Sequence, residues 1–143
     1  IEWSRDTFGH GTAVASVIAA ADNDIGIVGV APEAKIYTVR IMGSCTFVWA
    51  SGLFMAGYEC LLVRAKIVNM SWGSTFHIEM EELAFEWLYN QGMLLVASSG
   101  NTKSNKSFYP ALFINVLSIS AVDHKKNHAI FFTHNHMVDL TAS

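Results

Sequence analysis

The segment His10–Ala21 is a run of small and β-branched apolar residues that begins with a histidine. No face of a helix over these residues would be polar enough to meet water, so the pattern predicts a buried helix. Its first residue titrates near neutral pH and stands where a helix leaves backbone N–H groups unpaired. Two interpretations have equal weight at this point: a rigidly held catalytic base, or a core helix that happens to begin with histidine.

The rest of the chain alternates between candidate strands and candidate helices. Four segments rich in apolar or β-branched residues are predicted strands: Lys35–Met42, Lys66–Ser71, Met93–Ala97 and Val116–Val122. Apolar residues at helical spacing predict helices over Ala50–Ala65 and Phe76–Gln91. This order predicts an α/β fold with three layers, α/β/α, in which helices cover both faces of a mainly parallel sheet.

Periodicity also assigns faces to these elements. Met93–Ala97 is almost continuously apolar, which is typical of a strand covered on both faces. A polar turn is expected at Asp123–His128 and a short strand at Ala129–Thr133. The inward positions predicted for the two helices are Leu53, Ala56, Gly57, Cys60 and Leu61 in the first, and Met80, Leu83, Ala84, Trp87 and Leu88 in the second. The predicted solvated face of the second helix carries Glu79, Glu81, Glu82 and Glu86.

Composition narrows the classes of protein. The chain has 143 residues, is 52% hydrophobic and 15% charged, and carries a formal net charge of −3. Intrinsic disorder is therefore not expected, and there is no basic surface for nucleic acid. Every apolar run is too short for a membrane span. The chain shows neither an initiator methionine nor a signal peptide, so we expect it to begin inside a longer protein.

Chemically useful residues follow two neighbouring predicted strands. Ser71-Trp72-Gly73-Ser74 comes after the second strand, and Ser98-Ser99-Gly100-Asn101 comes after the third. In parallel sheets, function collects at the carboxyl ends of the strands, so we expect these segments to lie at one edge. Asn101 supplies an amide donor of the kind that stabilises an oxyanion. Two ordinary strand-to-helix turns remain the alternative interpretation.

Other polar residues carry weaker predictions. We expect Asp6 to be a surface carboxylate, because helical spacing does not bring it to His10. The loop Asp22–Pro32 is rich in oxygen ligands and glycine; it suits calcium, but by spacing alone a plain turn is favoured. The histidines after residue 123 lack a carboxylate or thiolate to complete a zinc site, and Cys45 and Cys60 have no metal-ligand spacing.

Several motifs together resemble one family. His10-Gly11-Thr12-Ala13-Val14-Ala15 resembles the histidine motif of the subtilisin-like serine proteases, the subtilases. Gly29–Pro32 and Ile67–Gly73 are similar to the segments that follow in that family, and Val96–Asn101 is similar to the segment ending in its oxyanion asparagine. The motifs occur in the family's order and at close to its spacing. The resemblance covers nearly all 143 residues.

The resemblance implies a role for each matching residue. His10 would be the general base, and Asn101 would donate to the oxyanion of the tetrahedral intermediate. Ser71, Trp72 and Gly73 would bind the peptide backbone as an added strand and form one wall of the P1 pocket. Ser98, Ser99 and Gly100 would form the opposite wall.

The resemblance also implies a cofactor, partners and a location. Calcium would bind the side-chain oxygen of Asn23 and the backbone carbonyls of Ala21, Ile25 and Ile27. The peptide bond Tyr109–Pro110 is expected to be cis, as at the corresponding place in the family. A peptide or protein substrate, a pro-segment and an extracellular or cell-surface location are implied in the same way.

Two departures from the family pattern set the expectation for function. No Gly-Thr-Ser nucleophile motif occurs in the chain, and the triad aspartate would lie upstream of Ile1. Residues 1–143 are therefore interpreted as a partial subtilase catalytic domain, truncated at both ends, inactive alone and with apolar surface exposed. The alternative is a catalytically inactive subtilase-like domain that acts in peptide binding or assembly. A generic α/β ligand-binding domain is disfavoured, because no glycine-rich phosphate loop is present.

Overall fold

The computed structural model of the chain describes residues 5–43, 48–103, 106, 108–131 and 136–143. The chain divides between residues 46 and 47 into two compact units, and α1 belongs to the first. None of the described helices is long and apolar enough to cross a lipid bilayer. The elements are α1 (His10–Ala19), α2 (Ala50–Leu62), β1 (Ile67–Met70), α3 (Glu79–Asn90), β2 (Leu94–Ser98), β3 (Val116–Ala121) and β4 (Leu140–Ala142).

In the first unit, a turn folds back onto the second half of α1. The backbone N–H of Val30 donates to the Val17 carbonyl (3.0 Å), and that of Ala31 donates to the Ile18 carbonyl (2.8 Å). Gly29 is buried, and its Cα lies so close to the backbone of Ala19 that a methyl group there would overlap the helix. Glycine is therefore required where the turn meets the helix.

Two predictions for the first unit are wrong. α1 contains no buried residue, and Val17 remains 59% exposed, because within this unit the turn at residues 29–31 covers only part of the helix. Residues 35–42 form no strand, since no described backbone pairs with them. Arg40 instead binds carbonyls near it, with Nε donating to Met42 O and Nη1 donating to Arg5 O, both at 3.0 Å.

The second unit contains a four-stranded sheet in the order β1-β2-β3-β4, and every pair of neighbours is parallel. α3 lies between β1 and β2 in sequence, as a parallel crossover requires. The predicted mainly parallel sheet of an α/β fold is thus present. Three predicted strands match β1, β2 and β3 within two residues, and helices predicted over residues 50–65 and 76–91 match α2 and α3.

β4 was not predicted from the sequence. It is a three-residue edge strand, all of it exposed, and Asp139 beside it holds it to β3. The Asp139 carboxylate accepts a hydrogen bond from Ser118 N (2.8 Å), and Asp139 N donates to Ser118 O (3.0 Å). The predicted strand 129–133 is wrong where it is described, at residues 129–131. The polar turn at 123–128 is confirmed, because Val122 and His128 form an antiparallel bridge.

α2 and α3 pack against each other, and α3 also contacts β2. The two helices approach closely at Gly57 of α2, where an added methyl group would overlap Leu88 of α3. Leu88 is fully buried, so the missing side chain at Gly57 provides the room that it occupies. The rings of Phe54 and Trp87 meet edge to face at 5.7 Å beside this contact. The inward face predicted for α2 is confirmed at Leu53 and Gly57, which are the buried residues of that helix.

The inward face predicted for α3 is confirmed at Leu88 but wrong at Met80 and Leu83. Glu81, Phe85 and Leu88 are its buried residues, whereas Met80 and Leu83 are 66% and 53% exposed. Residues 81, 85 and 88 follow helical spacing, so Glu81 shares the face that packs inward rather than the solvated face. Burial raises the pKa of Glu81, and the nearby His77 opposes that effect.

The sheet is covered more completely on one face than on the other. Leu95 and Ala97 of β2 are buried, as is Val116 of β3, while the alternate residue Leu94 is 45% exposed. The cover predicted for both faces of residues 93–97 is therefore partial within the second unit, because Val96, on the same face as Leu94, is only half-buried.

Candidate functional site

A cavity of about 300 Å³ lies at the carboxyl ends of the parallel strands. Ser71, which follows β1, lines it together with Ser98, Ser99, Gly100 and Asn101 at the end of β2. The predicted convergence of the two segments is therefore confirmed for these residues. The remaining lining residues are Asn69, Val96, Ala97, Ile119, Ser120, Ala121, Phe131, Ala142 and Ser143.

The segment after β1 is held by side-chain and backbone hydrogen bonds. Asn69 Nδ2 donates to Ser71 Oγ at 2.8 Å, so this hydroxyl is oriented by a residue of the preceding strand, β1. Ser74 forms an antiparallel bridge with Tyr109 through two backbone hydrogen bonds of 2.9 and 2.8 Å. Trp72 is half-buried and Gly73 is exposed, and neither lines the described cavity.

The segment after β2 is the more buried of the two. Ser99 is 1% exposed; its N–H donates to the Ile119 carbonyl (2.8 Å), and its Oγ has no hydrogen-bond partner among the described residues. Gly100 has φ +104°, a conformation that side-chain-bearing residues rarely adopt. Asn101 follows it on the exposed rim of the cavity.

Phe108 is a residue at this site that sequence reasoning missed. A methyl group on Gly100 would lie 2.6 Å from Phe108 Cδ2, and one on Gly73 would lie 3.4 Å from Phe108 Cδ1. The two edges of one ring therefore face the two glycines. The signal in the sequence was a glycine in each strand-end segment, at positions where another group packs closely. The peptide bond Tyr109–Pro110, one residue further along the chain, is cis as predicted.

His10 is the exposed first residue of α1, in the first unit, and Asp6 organises the start of that helix. The Asp6 carboxylate accepts hydrogen bonds from Gly9 N (2.8 Å), Thr12 N (2.9 Å) and Thr12 Oγ1 (2.8 Å). These bonds, above all that from Thr12 N, lower the pKa of Asp6 to about 2. Asp6 is exposed, as predicted, and it also caps the helix, because its carboxylate accepts hydrogen bonds from backbone N–H groups at the start of α1.

The loop proposed for calcium has donors of a suitable type but too few of them. Asn23 Oδ1 accepts a hydrogen bond from Ile25 N (3.2 Å), and Asp24 and Gly26 both have positive φ, so the loop turns tightly. The predicted ligands are one side-chain amide oxygen and three backbone carbonyl oxygens, which suit a hard cation, but calcium takes about 6–8 oxygens. The described residues hold no group of three His, Cys, Asp or Glu that would bind a metal, and His134 and Cys45 lie outside them. Cys60 is a free thiol whose pKa is raised by burial.

Sequence comparison with known proteins gives matches to proteases of one family. The sequence profile of the subtilase family (Peptidase S8) matches residues 3–142. The thermostable alkaline protease of Halalkalibacterium halodurans is 39% identical over 96% of this chain and 38% of its own length. Subtilisin BL of Lederbergia lenta is 35% identical over 97% of this chain and 52% of its own length. The chain thus spans about half or less of the length of these relatives.

Solved structures agree with the sequence comparison. A psychrophilic subtilisin-like protease from an Antarctic Pseudoalteromonas superimposes with a TM-score of 0.86 and 36% identity, over 92% of this chain and 31% of that one. The protease domain of PatA superimposes with a TM-score of 0.82 and 25% identity, over 90% of this chain and 48% of that one. With the profile covering almost every residue, the chain belongs to the subtilase family.

Proposed function

We propose that this chain is part of a serine-type endopeptidase catalytic domain and supplies its general base and one oxyanion donor. His10 takes the proton of a serine hydroxyl and later returns it to the leaving amine. The Asn101 amide donates to the oxyanion that forms when the serine attacks the peptide carbonyl. Ser71, Trp72 and Gly73 bind substrate backbone and, with Ser98, Ser99 and Gly100, border the P1 side chain.

The observation that carries this proposal is the shared cavity. Ser71 follows β1 and Asn101 follows β2, yet both line one cavity at the carboxyl edge of the parallel sheet. A peptide lying along that edge would meet backbone groups after β1 on one side and the Asn101 amide on the other. Exposure of Asn101 at the rim leaves its amide accessible to a substrate oxygen.

The test is a pair of substitutions in the full-length protein. Asn101→Ala should lower kcat by about 10²–10³-fold, the loss recorded for an oxyanion donor in a subtilisin, while KM changes little. His10→Ala should lower kcat by about 10⁶-fold, again by analogy with a subtilisin. Matched controls are Asn90→Ala, at the exposed end of α3, and His124→Ala, in an exposed turn. Equal losses in variants and controls would contradict the assigned roles.

The same assay decides between an enzyme and a non-catalytic relative. A full-length protein that binds a peptide but hydrolyses none, with or without Asn101, would be a subtilase-like binding or assembly domain. Hydrolysis that a serine-directed inhibitor abolishes would exclude that alternative. The 143-residue chain by itself is expected to hydrolyse nothing, because it has no Gly-Thr-Ser motif to supply the nucleophile. Inhibitor-sensitive hydrolysis by the purified chain would refute this expectation.

We also propose that the loop containing Asn23 binds calcium as a structural ion. Ala21, Ile25 and Ile27 would give backbone carbonyls and Asn23 its side-chain oxygen; the remaining ligands would be water or come from elsewhere in the protein. Calcium should raise the unfolding temperature of the full-length protein, and Asn23→Ala should reduce that increase, whereas Asn90→Ala should preserve it. An increase of the same size in both variants would exclude Asn23 as a ligand.

The proposed setting is extracellular, with peptides or proteins as substrates and a pro-segment as an inhibitory partner. One relative, 38% identical over 96% of this chain, is named a minor extracellular protease, from Bacillus subtilis. A protein detected in culture medium, and inhibited by its own pro-segment added in trans, would support this setting. Retention inside the cell would contradict it.

A further inference from the structure

The two segments proposed as the walls of the P1 pocket are separated by an aromatic ring. Phe108 Cδ1 faces Gly73 on one wall, and Phe108 Cδ2 faces Gly100 on the other. We infer that Phe108 fills the gap between these walls and restricts the protease to substrates with a small P1 side chain, such as alanine or glycine. This inference rests on the proposed function, because it takes Gly73 and Gly100 as P1 walls.

The position of the ring is supported by close packing against both glycines. A methyl group on Gly100 would lie 2.6 Å from Cδ2, 2.8 Å from Cγ and 3.0 Å from Cε2 of Phe108, so this edge of the ring leaves no room for a side chain at residue 100. On the other side, a methyl group on Gly73 would lie 3.4 Å from Phe108 Cδ1 and 3.8 Å from Phe108 Cβ. Little space is left between the walls for a second large side chain.

The backbone that carries Phe108 is anchored beside one of the two glycines, Gly73. Tyr109, the next residue, pairs with Ser74 through hydrogen bonds of 2.8 and 2.9 Å, and Ser74 directly follows the wall residue Gly73. Leu112 N donates to the Phe108 carbonyl at 3.1 Å, and Pro110 is fully buried. Because the main chain is tied to the wall, withdrawal of the ring would require rotation of the side chain within a packed site.

The shape of the cavity agrees with this occupation. Gly100 and Asn101 line the described cavity, whereas Gly73 and Phe108 do not. The open space therefore continues along the strand ends past Ser71, toward the proposed oxyanion donor, and not between the two walls. A peptide backbone has room there, but a large P1 side chain would have to occupy the volume of the ring.

The test compares peptide p-nitroanilides that differ only at P1, alanine or phenylalanine, in the full-length protein. The unmodified protein should prefer alanine. Phe108→Ala should raise kcat/KM for the phenylalanine substrate by about 10- to 100-fold, the range expected for burial of an aromatic side chain, and change the alanine substrate by less than about threefold. Phe108→Val, which removes less volume, should give an intermediate increase. Tyr89→Ala on α3 is the matched control and should leave the ratio of the two substrates unchanged.

Folding and function are separated by two further measurements. Circular dichroism melts identify a variant that has lost its fold, in which case the Phe108→Val ratio decides. If no form hydrolyses either substrate, the proposed function fails, and calorimetric binding of peptides ending in alanine or phenylalanine decides the inference alone: Phe108→Ala should gain affinity only for the latter. An unmodified protein that accepts phenylalanine as well as alanine, with an unchanged ratio in Phe108→Ala, would overturn the inference.

Discussion

Replacement of Gly100 by alanine tests the packing at the candidate site directly. Gly100 has φ +104°, and a methyl group there would lie 2.6 Å from Phe108 Cδ2. The substitution therefore imposes two separate penalties. Backbone strain in a left-handed conformation costs about 1–2 kcal/mol for a residue with a Cβ, and overpacking against the ring costs about 1–3 kcal/mol. The expected loss in the free energy of unfolding is about 2–5 kcal/mol.

Gly92 provides the matched control, because it separates these two penalties. Its φ is +85°, and an added methyl group would meet no atom within 4 Å. Gly92→Ala should therefore lose only the strain contribution, about 1–2 kcal/mol. The difference between the two variants is the contribution of contact with Phe108. The double variant Gly100→Ala/Phe108→Ala should lose less than the sum of the two single variants, because the ring that the methyl group meets is gone.

Urea unfolding of the 143-residue chain, followed by tryptophan fluorescence, measures these free energies; the chain has four tryptophans. Equal losses in Gly92→Ala and Gly100→Ala, or additive losses in the double variant, would show that Phe108 does not press on Gly100. Either result would refute the packing argument and with it the inferred restriction at P1.

Three further predictions concern stability, each measured by thermal unfolding. Asp6→Ala should lower the unfolding temperature near pH 7. Folding lowers the pKa of Asp6 from 3.8 to about 2, so the ionised carboxylate stabilises the fold fully above pH 3.8. The difference in unfolding temperature between the unmodified protein and Asp6→Ala should therefore shrink as the pH falls toward 2. A deficit independent of pH would contradict the role of its charge. Burial raises the pKa of Glu81 in the folded state, so the unmodified protein should lose stability as the pH rises above 4.5 and the side chain ionises. Glu81→Gln cannot ionise and should not show this decrease in unfolding temperature. The same pH profile in both proteins would exclude a destabilising charge at residue 81. Gly57→Ala should destabilise the protein, because the added methyl group overlaps the buried Leu88. Overpacking of about 1–3 kcal/mol should outweigh the gain of about 1 kcal/mol in helix propensity. Gly52→Ala in the same helix should be neutral or stabilising.

The residues of a segment were sufficient to predict its secondary structure where that structure depends mainly on the segment's own apolar periodicity. The apolar periodicity of residues 50–65 predicted α2 with Leu53 and Gly57 inward, and both are buried. The strands ending at Met70 and Ser98 were predicted from their runs of apolar and β-branched residues, and their parallel order placed Ser71 and Asn101 at one edge. A parallel sheet with crossovers constrains its strand ends strongly, so the location of the site followed from element order alone.

Prediction from the residues of a segment failed where contact with another helix or strand determines the buried face or the strand pairing. In α3, apolar residues occur on more than one face. Leu88 packs at Gly57 of α2 as predicted, but Phe85 is turned inward beside the ring of Phe113, and Glu81 is buried near His77. β4 is too short and exposed to have a signal of its own, and it depends on the hydrogen bonds of Asp139 with β3. Residues 35–42 have the composition of a strand but no described partner. A strand is defined by its neighbour, which the segment's own sequence does not contain.

By itself, the sequence determined the α/β class, the order of most helices and strands, and the family to which the motifs belong. These follow from periodicity and from short motifs whose residues are adjacent in the chain. Only the tertiary structure decided that α1 keeps an exposed surface, that Glu81 faces inward, and that Phe108 lies between Gly73 and Gly100. Phe108 and Gly73 are far apart in sequence and meet only because the Tyr109–Ser74 bridge joins their segments. Such contacts depend on how separate elements pack, which no local pattern encodes.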